Sequence, residues 1–301
     1  MRGTVIGSVA VLVVLFILTY ATGAFIPAEL QKPVRFGSQL YLGLFLRYLV
    51  IAGLAFLIFY GWKRDSWVHR RIQDRYPDSR LLRQEYRYSL STFAIFALMG
   101  IGIHEARHHG YTQIYTEVHE YGWWWFVASI LLALLIHDTY FYWTHRFMHW
   151  KPLFRVMHAV HHRSHDPSPW ASFSFHPTEA VVEAGILPVL VFIMPMHPLA
   201  IGGFLVVMTI MNVIGHLGYE IYPKGFTRHW LLGLNNTSTH HNMHHKYSRC
   251  NYGLYFNWWD RIMGTNHVRY QERFEEITSR GRQERSKVSE AMGQEMSGGK
   301  S

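Results

Sequence analysis

One cysteine, Cys250, stands in a chain of 301 residues. A lone thiol excludes an internal disulfide and any zinc site built on cysteines, and leaves the redox compartment open. Charge is scarce as well: 16% of the residues are Asp, Glu, Lys or Arg, against about 25% in an average soluble domain. Internal repeats and long linkers are missing too. Apolar and aromatic residues fill the space: 49% are hydrophobic, with 11 Trp and 18 Tyr, the composition of a membrane protein with aromatic belts at its interfaces. A net charge of +9 would suit nucleic acid in a soluble protein. Here the cations lie between apolar runs, so anionic lipid headgroups are the expected partner and nucleic acid is not.

Crossing the hydrocarbon core takes about 20 mostly apolar residues. Residues 4–21, 40–62, 90–103 and 123–143 read as four spans. The first competes with a signal peptide, but no small-residue cleavage pattern follows it cleanly, so a span is expected. Arg47 must reach from inside the second span to the nearer surface, and Trp123, Trp124 and Trp125 anchor the fourth. Residues 180–195 and 199–215 read as a hairpin that either spans or re-enters. The expected fold is all-α: an integral-membrane bundle of four spans plus a hairpin, with a cytoplasmic histidine-rich metal-binding cap. Residues 1–122 form an N-terminal membrane region, 123–280 a catalytic region and 281–301 a polar tail expected to be disordered. Sidedness comes from Lys63, Arg64, Arg70, Arg71, Arg75, Arg80, Arg83 and Arg87, which load residues 62–88, whereas 23–39 has only Lys32 and Arg35, and 105–122 only Arg107. The loaded segment is expected in the cytoplasm. Counting crossings returns the chain to that side after residue 143 and again after 215.

Histidine breaks the pattern of scarcity. Sixteen of 21 lie between residues 137 and 267. His145 and His149 are spaced i, i+4. His158, His161 and His162 are spaced i, i+3, i+4, and His241, His244 and His245 repeat that spacing. On a helix such residues share a face, with Cβ atoms about 5–6 Å apart, close enough for imidazoles to hold one metal or two neighbouring ones. A lone histidine is more often structural, and an interfacial cluster can instead sense pH. Three boxes on one expected side point to metal. Eight box histidines overfill a single site and suit two, and His176 and His216 are further candidates. Asp138, seven residues before His145, and Glu220, four after His216, are placed to accept a ligand imidazole's second N–H. Glu220 could instead ligate the metal or pair with an arginine. His137, His165 and His240 read as supports. Imidazole suits Fe, Zn, Cu and Ni alike. A site at the membrane boundary implies a lipid substrate, whose unactivated C–H bonds need an oxidant as strong as iron with O2, so iron is expected. The rival from another class, a metal transporter or store, would line its mid-spans with ionisable residues, whereas these histidines crowd one end.

The stretches HDTYFYWTHRFMH, HAVHH, FHPTEA, HHNMHH and NYGLYFNWWDRIMGT, in that order over residues 137–265, resemble the fatty acid hydroxylase/sterol desaturase superfamily of integral-membrane non-haem diiron oxygenases. HRSHDPSPWASFSFHP and NYGLYFNWWDRIMGT look most like sterol C5-desaturases and their bacterial relatives. The first 120 residues resemble the superfamily only in hydropathy. The resemblance implies metal-ligand roles for His145, His149, His158, His161, His162, His241, His244 and His245, while His176 and His216 also match family histidines. It implies two irons per chain and O2-dependent hydroxylation or desaturation of a sterol or related lipid. Fatty acyl hydroxylases carry a second H-x-x-x-H where this chain reads His216 to Glu220, which counts against a ceramide-type acyl hydroxylase. A hydroxylase of a polar lipid such as an ornithine lipid stays open. No fused cytochrome b5 or ferredoxin module is visible, so the expected electron donor is external: cytochrome b5-like, ferredoxin-like or a reductase. The expected location is multi-pass in a bacterial inner membrane, or in the endoplasmic reticulum of a eukaryote.

Overall fold

The computed structural model of the protein describes residues 28–281. The expected first span, 4–21, and all of the polar tail after residue 281 lie outside the described residues. Helices carry the described chain, and no strand occurs in it. Helix α1 runs Ala28–Phe56 and continues through a π-helical turn, Leu57–Trp62; α2 is Ser79–His108, α3 Gly122–Met148, α4 Lys151–Met157, α5 Pro177–Ala184, α6 Ile186–Ile193, α7 Pro198–Gly215, α8 Ser238–Tyr247 and α9 Trp258–Ile262. Residues 270–281 form α10. Among the described residues, four segments are long and apolar enough to cross a membrane: Glu29–Trp62, Ser79–His108, Gly122–Met148 and Pro198–Gly215. The second, third and fourth expected spans and the second hairpin limb fall on them.

Local chemistry sets the ends. The Asp78 carboxylate accepts Leu81 N–H at 2.7 Å and starts α2, satisfying one of the N–H groups that a first turn leaves unpaired. Gly122, at φ +79°, turns the chain into α3 through a conformation that a side chain would oppose. The first hairpin limb is broken. Pro188 has no N–H to give to the carbonyl of Ala184, and the helix stops there and restarts after Gly185. The Tyr140 hydroxyl donates to the carbonyl of Val182 at 2.7 Å in the break. Each half is eight residues, roughly 12 Å long, too short to cross alone. The hairpin is therefore asymmetric, with one full limb, α7, and one jointed limb, α5–α6.

One core joins the helices. Phe45 and Tyr48 of α1, Phe93 of α2, Phe141 of α3 and Met208 and Val213 of α7 pack with Phe173, Phe175 and Tyr255. The loop 164–175 is pinned into this core. Trp170 C=O accepts both the Tyr48 hydroxyl and the Ser89 hydroxyl, and the Glu85 carboxyl holds Ser168 by its hydroxyl and N–H. At the far end, Gln113 N–H donates to Val191 C=O and His197 to Thr116 C=O, tying 109–121 to the α6–α7 turn. At the near end, Tyr60 donates to Leu217 C=O and Gln73 to Pro167 C=O and Asn242. The basic segment 62–78 thus sits at the same end as the loops that carry the histidines.

Candidate metal centre

Nine imidazoles converge at that end in two groups: His145, His149, His158, His162 and His244 in one, and His161, His216, His241 and His245 in the other. Within each group the ring nitrogens lie within 4.8 Å of one another. Helical spacing sorts them. The i, i+4 pairs His145/His149 and His158/His162 stay in the five-imidazole group, and His241/His245 stay in the four-imidazole group. The residue at i+3, His161 or His244, turns to the other group. Two H-x-x-H-H boxes therefore each feed both groups, because i and i+4 share a face while i+3 lies on its edge.

Helix α8 carries three of the nine on a weak helix-forming sequence, STHHNMHHKY, and neighbours hold it. The Thr237 hydroxyl accepts His240 N–H. Glu220 Oε2 accepts both Thr239 N–H and its hydroxyl, at 2.9 and 2.6 Å. A carboxylate over the first turn also meets the positive end of the helix dipole. Asn242 donates to Gly215 and Ser238 C=O. Segment 250–257 is held from below: Asp138 accepts Tyr255 and Phe256 N–H, and Asp260 accepts Tyr252 and Gly253 N–H.

That framing aims the rings. Carbonyl oxygens only accept, so an imidazole Nδ1 facing one must carry the proton and leave Nε2 with its lone pair. His145 Nδ1 meets Tyr252 C=O at 2.8 Å, His244 Nδ1 meets Cys250 C=O at 2.7 Å and His216 Nδ1 meets Asn212 C=O at 2.8 Å. The His158 Nδ1 faces Glu179 Oε1 at 2.6 Å. The Nε2 of His216, with one lone pair, is then faced by the Nε2 atoms of His161, His241 and His245 at 3.2, 3.1 and 3.2 Å. Protons alone cannot satisfy three such contacts at one lone pair. The Nε2 of His244 is crowded similarly by His149 and His162, at 3.2 and 3.0 Å. A shared cation resolves both. Burial, then the neighbouring imidazoles, holds His158, His161, His162, His241, His244 and His245 well below the usual histidine pKa. Burial also lowers His216 to about 4 and His149 to about 2. Neutral imidazole is the form that ligates.

The structure brings together nine of the ten histidines expected at metal, His216 among them. His176 stands apart. Its Nδ1 meets the Thr178 hydroxyl at 2.8 Å and accepts Thr178 N–H, capping α5. Asp138 and Glu220 also differ from expectation: neither hydrogen-bonds a group imidazole, and each instead holds the backbone of a segment that aims one. The carboxyl that does meet a ligand-group Nδ1 is Glu179, which sequence reasoning passed over. Its signal was an acidic residue in the otherwise apolar run that opens the hairpin. The carbonyls of Tyr252, Cys250 and Asn212 had no signal, since any residue supplies one.

Beside the centre lies a half-open apolar cleft. Leu40, Phe96, Leu187 and Leu205 line it from four helices, and Phe141 and Phe175 close its inner wall. Phe141 packs on His145 and Phe175 on His161, with ring centroids 4.9 and 5.3 Å apart. The cleft thus ends on two phenyl rings, each packed on one of the two groups.

Residues 130–265 match a family model described as fatty acid hydroxylase. Over 185 residues the chain is 32% identical to a Delta(7)-sterol 5(6)-desaturase of Gibberella zeae, covering 62% of this chain and 56% of that protein. It is 31% identical over 205 residues to a Delta(7)-sterol 5(6)-desaturase of Aspergillus fumigatus, covering 62% of each. It is 28% identical over 186 residues to a human lathosterol oxidase, covering 61% of this chain and 60% of that protein. The chain therefore spans less than two thirds of the length of these relatives. No solved structure matches.

Proposed function

We propose that the chain, whose residues 130–265 match the fatty acid hydroxylase model and which is similar to sterol desaturases, is a member of the fatty acid hydroxylase/sterol desaturase superfamily that oxidises an unactivated C–H bond of a membrane lipid with O2, as a hydroxylase or a desaturase. The observation that carries this reading is the pairing of two imidazole groups with an apolar cleft that ends on phenyl rings packed on both. The relatives named as sterol desaturases and lathosterol oxidase make a sterol or related lipid the favoured substrate.

Iron is the proposed metal, one ion in each group. The donors are all imidazoles, which suit iron, zinc, copper and nickel alike, so iron is favoured by the C–H oxidation that the metal would have to support. Iron held there would supply the oxidising power, with O2 as oxidant and two electrons from an external donor.

The chain's own residues supply the rest. Glu179 and the carbonyls of Tyr252, Cys250 and Asn212 fix which ring nitrogen faces inward. Phe141 and Phe175 keep water from the inner wall and bring the lipid against it. The basic segment 62–78 at the histidine end supports a cytoplasmic centre, where a cytochrome b5-like, ferredoxin-like or reductase donor can reach it. Hydroxylation consumes two electrons, two protons and O2 and gives an alcohol and water; desaturation gives an alkene and two waters. Comparing lipid extracts of cells with and without the gene tests the reading. A lipid gaining one oxygen or losing two hydrogens is expected, and no such change in any lipid would overturn it.

A further inference from the structure

Glu183 is the anomaly of the apolar cleft. It is 9% exposed, lines the cleft beside Ala184 and Leu187, and makes no hydrogen bond among the described residues. A buried polar group without a partner costs roughly 1–3 kcal/mol, and such a group calls for an explanation. The nearest hydroxyls are engaged elsewhere: Tyr140 donates to Val182 C=O, and Tyr255 meets His137 Nδ1 at 2.8 Å. His137 also lines the cleft, and with its Nδ1 taken, Nε2 is the nitrogen left for an occupant. Asn212 lines it too, and its amide N–H₂ donates to Ser172 C=O. All other lining side chains of this cleft are apolar.

Resting on the lipid-oxidation reading, we infer that Glu183, with His137 beside it, is a polar anchor that binds a neutral hydroxyl group of the lipid and thereby sets which carbon meets the centre. Burial pushes the Glu183 carboxyl up to about 8, so at neutral pH it can both donate and accept, as a hydroxyl requires. A lipid carboxylate would meet an acid with no cation nearby and is disfavoured. Position follows from helix geometry. Glu183 is one turn from Glu179, which meets His158, and His137 is two turns before His145. At about 1.5 Å per residue, the anchor stands roughly 6–12 Å from the ligand layer. The oxidised carbon therefore lies within one ring system or a few bonds of the hydroxyl, and not at the end of a long chain.

The test is binding, read without turnover on the purified full chain with tritiated cholesterol as probe. Unlabelled cholesterol, cholest-5-ene, which lacks the hydroxyl, and the 3-carboxylate analogue compete. Wild type should prefer cholesterol to cholest-5-ene by about tenfold or more, equivalent to about 1.4 kcal/mol, and should bind the carboxylate no better than the hydrocarbon. Glu183→Leu should reduce the preference to within about twofold, while Glu183→Gln, whose amide still donates and accepts, retains most of it. Equal binding of cholesterol and cholest-5-ene by wild type overturns the inference without any variant, and so does an undiminished preference in Glu183→Leu. Discrimination in binding with no oxidised lipid in cells would instead count against the lipid-oxidation reading and leave the anchor standing.

Discussion

The two imidazole groups share two sequence segments, 158–162 and 241–245, but differ in how firmly their rings are held. In the five-imidazole group, His145, His158 and His244 each have Nδ1 fixed, by Tyr252 C=O, Glu179 and Cys250 C=O, and His162 Nδ1 meets the Ser248 hydroxyl at 3.2 Å. In the four-imidazole group His216 is fixed in this way, His161 has the backbone of Ser174 as a weaker neighbour, and the buried Nδ1 of His245 has no hydrogen-bond partner among the described residues. The five-imidazole group also has a ligand to spare and its most exposed ring, His149. The groups are therefore not copies. One holds five rings and fixes the Nδ1 of most of them, and the other holds four, is fully buried and fixes fewer.

The largest effect should come from unequal tolerance to ligand loss. His245→Ala leaves three imidazoles in the smaller group, and lipid oxidation should fall to background. His149→Ala leaves four in the larger group and should keep measurable oxidation, reduced about 10–100-fold. Equal loss in the two variants, measured as product per chain at matched protein levels, would erase the distinction.

Next is Glu179→Gln, which weakens the grip on His158 alone. Metal should leave the larger group about 10–100-fold more readily in chelator competition, with release from the smaller group unchanged. Uniform weakening of both would mean that Glu179 acts through the fold and not through His158.

Glu220→Gln should be milder at the centre and clearer in stability. Glu220 accepts Tyr222 N–H and both Thr239 donors, and an amide in its place sets an N–H₂ against one of them. A loss of about 1–3 kcal/mol in thermal or chemical denaturation is expected, with both ions retained. Full stability with one ion missing would instead make Glu220 a ligand.

The last effect falls on stability alone, and is that of pH on the metal-free chain. Burial lowers His216 to about 4 and holds the other cap imidazoles lower than usual, whereas an unfolded histidine titrates near 6.5. Below pH 6.5 the unfolded chain takes up protons that the folded one refuses. Stability should be complete above 6.5 and fall as pH drops toward 4, by about 1.4 kcal/mol per unit for each such ring. A flat profile over that window would show that these rings are already open to solvent.

Periodicity made much of this legible. The apolar runs marked all four described spans, the second hairpin limb among them, because lipid demands length and composition that few other contexts share. The i, i+3, i+4 boxes marked eight of the nine converging imidazoles, because one helical face forces them together. The division of each box between two groups was not legible, since it depends on where α8 and the 158–163 turn sit relative to α3. Nor were the roles of Asp138, Glu220 and His176. The spacing of Asp138 and Glu220 to histidines suggested contact, and His176 read as a further metal candidate, yet each is spent on a backbone N–H: Tyr255 and Phe256, Thr239, and Thr178. The joint at Gly185 had its signal in Pro188, whose missing N–H removes a rung from a continuous helix through residues 184–188.

The most direct test of two unlike ions in one cap is a count of iron in the full-length protein, loaded under reducing conditions, for wild type, His149→Ala and His245→Ala. Two ions per chain in wild type, two in His149→Ala and one in His245→Ala are expected. One ion in wild type, or two in His245→Ala, would contradict a centre built as a five-imidazole and a four-imidazole site.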